Sequence, residues 1–112
     1  SPGSFCNRAP VDALLQYYSA ATQRQEIRAD LALTIPAGVP LGDVEWCTVL
    51  GNLLENALEA CRRLTGPRFI LVQARWLDDH LMMLVENSYN GQIKKNGSRI
   101  LSQQTGRRSG AY

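Results

Sequence analysis

The chain has 112 residues, of which 45% are apolar and 20% charged, enough to bury one core but little more. Its net charge of +2 is too small to mark a polyanion-binding surface overall. No run approaches the roughly 20 apolar residues that span a bilayer, and no charged-then-apolar leader of the signal type opens the chain.

Residues 1–9 are rich in Ser, Pro and Gly and read as an N-terminal extension whose first residues fit an expression remnant. Pro10 suits the first turn of a helix, where its missing N–H is harmless. Val11, Leu14, Leu15, Tyr18 and Ala21 then keep helical spacing on one face. Residues 27–35 alternate apolar Ile27, Ala29, Leu31, Leu33 and Ile35 with Arg28, Asp30 and Thr34, the pattern of a half-buried strand. Pro36 to Pro40 ends it.

Asp43 is placed to cap a second helix, whose long apolar face includes Trp46, Leu50, Leu53, Ala57 and Cys61 before Gly66-Pro67 stops it. Residues 68–77 and 81–87 predict two strands joined through Asp78-Asp79-His80, a hairpin. From Gly91 to Tyr112 there are five basic residues and no acid, a charge of +5 against −3 for the first 90 residues. This stretch also holds four of the nine glycines and almost no apolar period, so residues 92–112 read as a mobile basic loop on an ordered body, residues 10–91. The element order predicts an α+β fold, a two-layer α/β sandwich.

Three cysteines, Cys6, Cys47 and Cys61, cannot all pair with one another, and with His80 as the single histidine they make no zinc site. They read as reduced, mostly buried thiols in a cytoplasmic setting. His80, in a hairpin turn, has no helical context for phosphate acceptance. Met82, Met83, Trp46 and Trp76 read as packing residues.

Two features carry chemistry. On the polar side of the second helix, Asn52 and Asn56 stand one turn apart, flanked by Glu55 and Glu59. Asn costs on the order of half a kcal/mol against Ala in a helix, and Lys, Glu or Gln would serve a solvated face better. The bland reading is a pair of surface asparagines. The functional one is a row of amide oxygens aimed at a cation, since Mg²⁺ takes hard oxygen ligands and fills its shell with waters and phosphates. In the last strand, Leu81, Met83, Val85 and Asn87 share one face, so an amide ends an apolar row just before a Gly-containing loop. It either begins a turn or faces a pocket.

Taken together the two are more specific. The run Leu50-Gly51-Asn52-Leu53-Leu54-Glu55-Asn56-Ala57-Leu58-Glu59-Ala60-Cys61 resembles the N-box of the ATPase superfamily that joins gyrase, the large heat-shock chaperone, sensor histidine kinases and MutL. Asn87-Ser88-Tyr89-Asn90-Gly91 stands where that superfamily has Asp-x-Gly-x-Gly. Asn replaces the Asp, Tyr89 the first Gly, and Gly91 matches the second. Phe5-Cys6-Asn7, Ile35-Pro36 and Asp43-Val44-Glu45-Trp46-Cys47 are similar to the quorum-sensing and citrate-receptor branch of the sensor kinases.

The resemblance implies a Bergerat-type ATPase fold, incomplete at the C-terminus because no His-Gly-x-Gly-Leu second glycine box follows. It implies ATP and Mg²⁺ as cofactors. Asn56 matches the metal-binding asparagine, Asn52 lies near the phosphates or the metal's waters, and Glu55 is placed to order such a water. Asn87 matches the adenine-contacting acid. Gly91, Lys94 and Lys95 join the nucleotide-binding set, the lysines in the position of the ATP lid. Arg62, Arg63, Arg107 and Arg108 are further phosphate-neutralising candidates, because Glu59 stands where many histidine kinases carry a Lys. Asn52 is no general base, which favours phosphoryl transfer over hydrolysis. The implied activity is that of a protein-histidine kinase domain. Its partners are a histidine-bearing dimerisation domain and a response regulator, with the whole protein a homodimer, no direct membrane contact in this chain and no nucleic acid. The chain alone is then expected to be inactive. The rival readings are a non-catalytic interaction module of the same fold and, ranked lower, nucleic-acid binding through residues 91–112.

Overall fold

The computed structural model describes residues 5–77, 80–89 and 91–101. Their order is α1 (Ala9–Arg24), β1 (Arg28–Asp30), α2 (Asp43–Arg62), β2 (Phe69–Leu77), β3 (His80–Tyr89) and β4 (Gln92–Leu101). The strands form one mixed sheet in the order β1-β2-β3-β4, with β1 parallel to β2 and the other neighbours antiparallel. Both helices pack on one face, giving the expected α+β two-layer arrangement. The core between the layers takes Val11 and Leu15 from α1, Trp46, Leu50, Leu54, Ala57 and Cys61 from α2, and Ile70, Val72, Leu81, Met83 and Val85 from the sheet. The two helices run parallel. Pro10 shares a groove with Cys47, Leu14 lies beside Gly51, and Tyr18 bonds to Glu55.

The N-terminal segment is tied down from Phe5 onward. The Asp12 carboxylate accepts the backbone N–H groups of Phe5 and Cys6, and Asn7 makes two bonds to Ile35, one to its N–H and one to its C=O (3.0 and 2.9 Å). Cys6 bridges to Leu33, whose N–H donates to the Phe5 carbonyl. This explains a difference from the nine-residue strand expected at 27–35. The burial alternation continues through Leu31, Leu33 and Ile35, yet only three residues pair with β2. Beyond Asp30 the chain leaves β2 and satisfies its backbone against residues 5–7 instead.

Asp43 is not the cap of α2. Gly42 holds that position without a side-chain bond, and Asp43, one residue inside the first turn, pairs with Arg8 at 3.3 Å. A carboxylate there still favours the positive end of the helix dipole. At the other end Gly66 takes a left-handed φ of 83°, and Arg68 folds back across both helices. Its guanidinium donates to the carbonyls of Cys61 and Leu64 at 3.0 and 3.2 Å and to that of Gln25, just past α1. One cation thus serves carbonyls at two helix ends, although that of Cys61 also accepts the Leu64 N–H.

The β2–β3 hairpin forms as expected, with Leu77 paired to His80. His80 therefore opens β3, and residues 78–79 lie outside the described residues. The larger correction concerns the basic loop. Residues 92–101, expected to be mobile, form a strand paired to β3 from Tyr89–Gln92 to His80–Leu101. Its glycine was misleading: a Cβ at Gly97 would stand 3.1 Å from the Met83 carbonyl, so this residue lets two backbones approach. Ladder bonds with β3 replace the apolar signal that β4 lacks. Residues 102–112, including Arg107 and Arg108, lie outside the described residues.

Candidate functional site

The polar stripe of α2 divides into two groups. Asn52 and Asn56 are exposed, and neither amide has a hydrogen-bond partner among the described residues. Glu55, about 60° round the helix from Asn52 and about 100° from Asn56, turns toward α1. Its Oε1 accepts the Tyr18 hydroxyl at 2.7 Å, and its Oε2 lies 4.0 Å from Arg62. Arg62 is itself held by Glu59 at 3.0 Å. Burial first, then the Glu55 carboxylate, pushes the Tyr18 phenol well above its ordinary value, so Tyr18 remains a neutral donor. Of the sequence candidates on α2, the structure leaves the two asparagines free and commits Glu55, Glu59 and Arg62 to one another and to α1. Arg63 is exposed at the end of the helix.

At the end of β3, Asn87 completes the buried row of Leu81, Met83 and Val85 and is 0% exposed. Its Nδ2 donates to the Ser88 carbonyl at 2.7 Å. Its Oδ1 is buried with no partner, an arrangement unfavourable by about 1–3 kcal/mol when nothing fills it. In register Asn87 sits between Ile70 of β2 and Lys94 of β4. Lys94 reaches over the ring of Tyr89, with Nζ 5.0 Å from the centroid.

Lys95, by contrast, opposes Glu86, and strand alternation puts that pair on the other face of the sheet. The two candidate lysines therefore lie on opposite faces of the sheet. Gly91 has φ 77° in the β3–β4 connection, a conformation glycine adopts without strain. A cavity of about 360 Å³ adjoins it, lined by Leu64, Thr65, Pro67, Phe69, Ser88, Gly91, Gln92 and Ile93. Asn87 is not in that lining.

The geometry thus offers two exposed amides on a helix and an unsatisfied buried acceptor on the neighbouring strand. Residues 41–111 match the family description "GHKL domain", a stretch that starts just before α2, spans both features and makes up more than half of the chain. The chain belongs to the GHKL family. No curated protein matches it. GHKL membership points to nucleotide binding, and GHKL domains in general take ATP with Mg²⁺. Among the described residues no cluster of three His, Cys, Asp or Glu side chains could hold a metal. No helix among the described residues is long and apolar enough to cross a membrane.

Two contacts of this GHKL domain escaped the sequence: the Tyr18–Glu55 bond and the double helix-end cap of Arg68. Neither has a local signature. The first depends on the parallel setting of two helices, the second on the point where β2 enters the sheet.

Proposed function

We propose that this GHKL domain is a cytoplasmic domain that binds Mg²⁺-ATP and supplies the γ-phosphate to a histidine on the dimerisation domain of a sensor histidine kinase, in the quorum-sensing and citrate-receptor branch. Its further partners are a response regulator and a second copy of the whole kinase. The observation that carries the nucleotide reading is the orphaned Oδ1 of Asn87. With Nδ2 given to Ser88, the remaining valence of this side chain is an acceptor, and the exocyclic amine of adenine is a donor. Guanine presents an oxygen at the equivalent position and would leave the acceptor unpaired.

Asn56 would contribute an amide oxygen to the metal, and Asn52 would hold a phosphate or a metal-bound water. Bound Mg²⁺ neutralises charge on the phosphates. The residues of this chain bind and orient. Asn52 cannot abstract a proton from water, which supports phosphoryl transfer over hydrolysis. Lys94, on the Asn87 side, is the described cation best placed to meet the phosphates, and Lys95 lies on the opposite face of the sheet.

The test is calorimetric titration of the chain with Mg²⁺-ATP, Mg²⁺-GTP and ATP in EDTA. ATP binding that needs Mg²⁺, exceeds GTP binding and disappears in Asn56→Ala is the expected outcome. A second reading, an interaction module of the same fold without nucleotide, is favoured by the complete enclosure of Asn87. A folded chain that binds no Mg²⁺-ATP establishes it and refutes the first.

A further inference from the structure

The Asp-x-Gly-x-Gly pattern that residues 87–91 resemble has Gly where this chain has Tyr89, and the inner row of β3 changes character at that point. Leu81, Met83, Val85 and Asn87 are at most 1% exposed, whereas Tyr89, next on the same face, is 38% exposed. Lys94 stands opposite Asn87 in the ladder and holds its ammonium over the Tyr89 ring. It has no ion-pair partner among the described residues. Asn87, Tyr89 and Lys94 therefore share one face at one end of the β3–β4 pair. Residues two apart on a strand are about 7 Å from each other, a gap a purine bridges.

We propose that Tyr89 is the platform on which the base of the nucleotide stacks, and that Lys94 leaves the ring for the phosphates when the nucleotide binds. The proposal rests on the ATP reading above and adds to it a contact that the usual glycine could not make. A base lying on the ring can bring its amine edge toward the buried, unpaired Oδ1 of Asn87, so stacking and hydrogen bonding would act on the same group. Base–aromatic stacking is indifferent to base identity; Asn87 would supply the selectivity and Tyr89 the affinity. The ammonium-to-ring contact is weak at an exposed site and yields readily to a polyanion.

The test compares Mg²⁺-ATP with adenosine by calorimetry on the full chain, with circular dichroism to verify folding. Tyr89→Gly, the usual residue, should lose roughly tenfold or more in affinity for both ligands, and Tyr89→Phe should recover it. Tyr89→Leu keeps bulk and strand preference but no π face, and should behave like Tyr89→Gly even if the glycine variant folds poorly. Lys94→Gln should weaken ATP several-fold and adenosine less. If Tyr89→Leu binds both ligands within twofold of the parent while Asn56→Ala abolishes Mg²⁺-ATP binding, the platform is refuted and the ATP reading stands. If the parent chain binds neither ligand, both are refuted.

Discussion

Replacing Arg68 by Met removes a guanidinium that bonds to carbonyls at two helix ends while keeping much of its apolar stem. Three carbonyls lose the guanidinium, Gln25 beyond α1 and Cys61 and Leu64 at the end of α2, though Cys61 keeps the Leu64 N–H. Hydrogen bonds to a charged group contribute about 1.5–3 kcal/mol each, and a cation at a helix C-terminus adds about 0.3–1 kcal/mol. The sum is an upper bound. The bonds share one side chain, water can reach carbonyls at half-buried helix ends, and Arg68 Nε is already buried without a partner. A net loss of about 3–4 kcal/mol is expected, a large part of the roughly 5–15 kcal/mol that stabilises a domain. At about 4 °C per kcal/mol for this size the midpoint should fall by roughly 12–16 °C. Urea and thermal unfolding followed by circular dichroism measure it. Arg68→Lys should recover only part, since one ammonium lacks the planar fork that spans both helix ends. An Arg68→Met midpoint within about 2 °C of the parent, the mark of a neutral surface change of some 0.5 kcal/mol, would refute the double-cap argument.

Tyr18→Phe removes the bond to Glu55 and should cost about 1 kcal/mol near neutral pH. The Tyr18 phenol is raised above its ordinary value, so its contribution is complete below pH ~10, the value for an unfolded tyrosine, and is lost as pH climbs toward the folded value. The parent should therefore lose its advantage over Tyr18→Phe in alkaline unfolding curves. Gly97→Ala forces a Cβ to 3.1 Å from the Met83 carbonyl, and overpacking against backbone should destabilise by about 1–3 kcal/mol. Amide exchange should localise that loss to β3 and β4, and a stabilised variant would contradict the close approach. Cys61 is 0% exposed, and burial raises its thiol. It should resist iodoacetamide in the native chain while Cys6 reacts, with all three alkylated in urea, as mass spectrometry of peptides would show.

Both long helices and the β2–β3 hairpin were legible because their apolar periods, 3.6 and 2, extend over many residues and agree with the core. Asn52, Asn56 and Asn87 were legible for the opposite reason: each breaks a local preference, an amide on a strong helix face or at the end of an apolar strand row. β4 was not legible, because Lys94, Lys95, Asn96, Gly97 and Ser98 carry no alternation of their own. Their pairing is supplied by β3, a partner that sequence distance does not reveal. Glu55 looked equivalent to the asparagines beside it, and only the neighbour on α1 separates its role from theirs.

The chain by itself determined which faces are apolar, that the second helix ends before Gly66-Pro67, and that two asparagines one turn apart precede a third at the end of an apolar strand row. Those properties are local, set by side-chain spacing and backbone preference within a few turns. The tertiary structure decided which polar groups remain available. Asn87 Oδ1 is left unpaired while Nδ2 turns to Ser88; Glu55 is held because Tyr18 arrives beside it; Lys94 and Lys95 part because a ladder sends neighbours to opposite faces. The near-neutral total of +2 reflected none of this, since a sum of charges contains no positions.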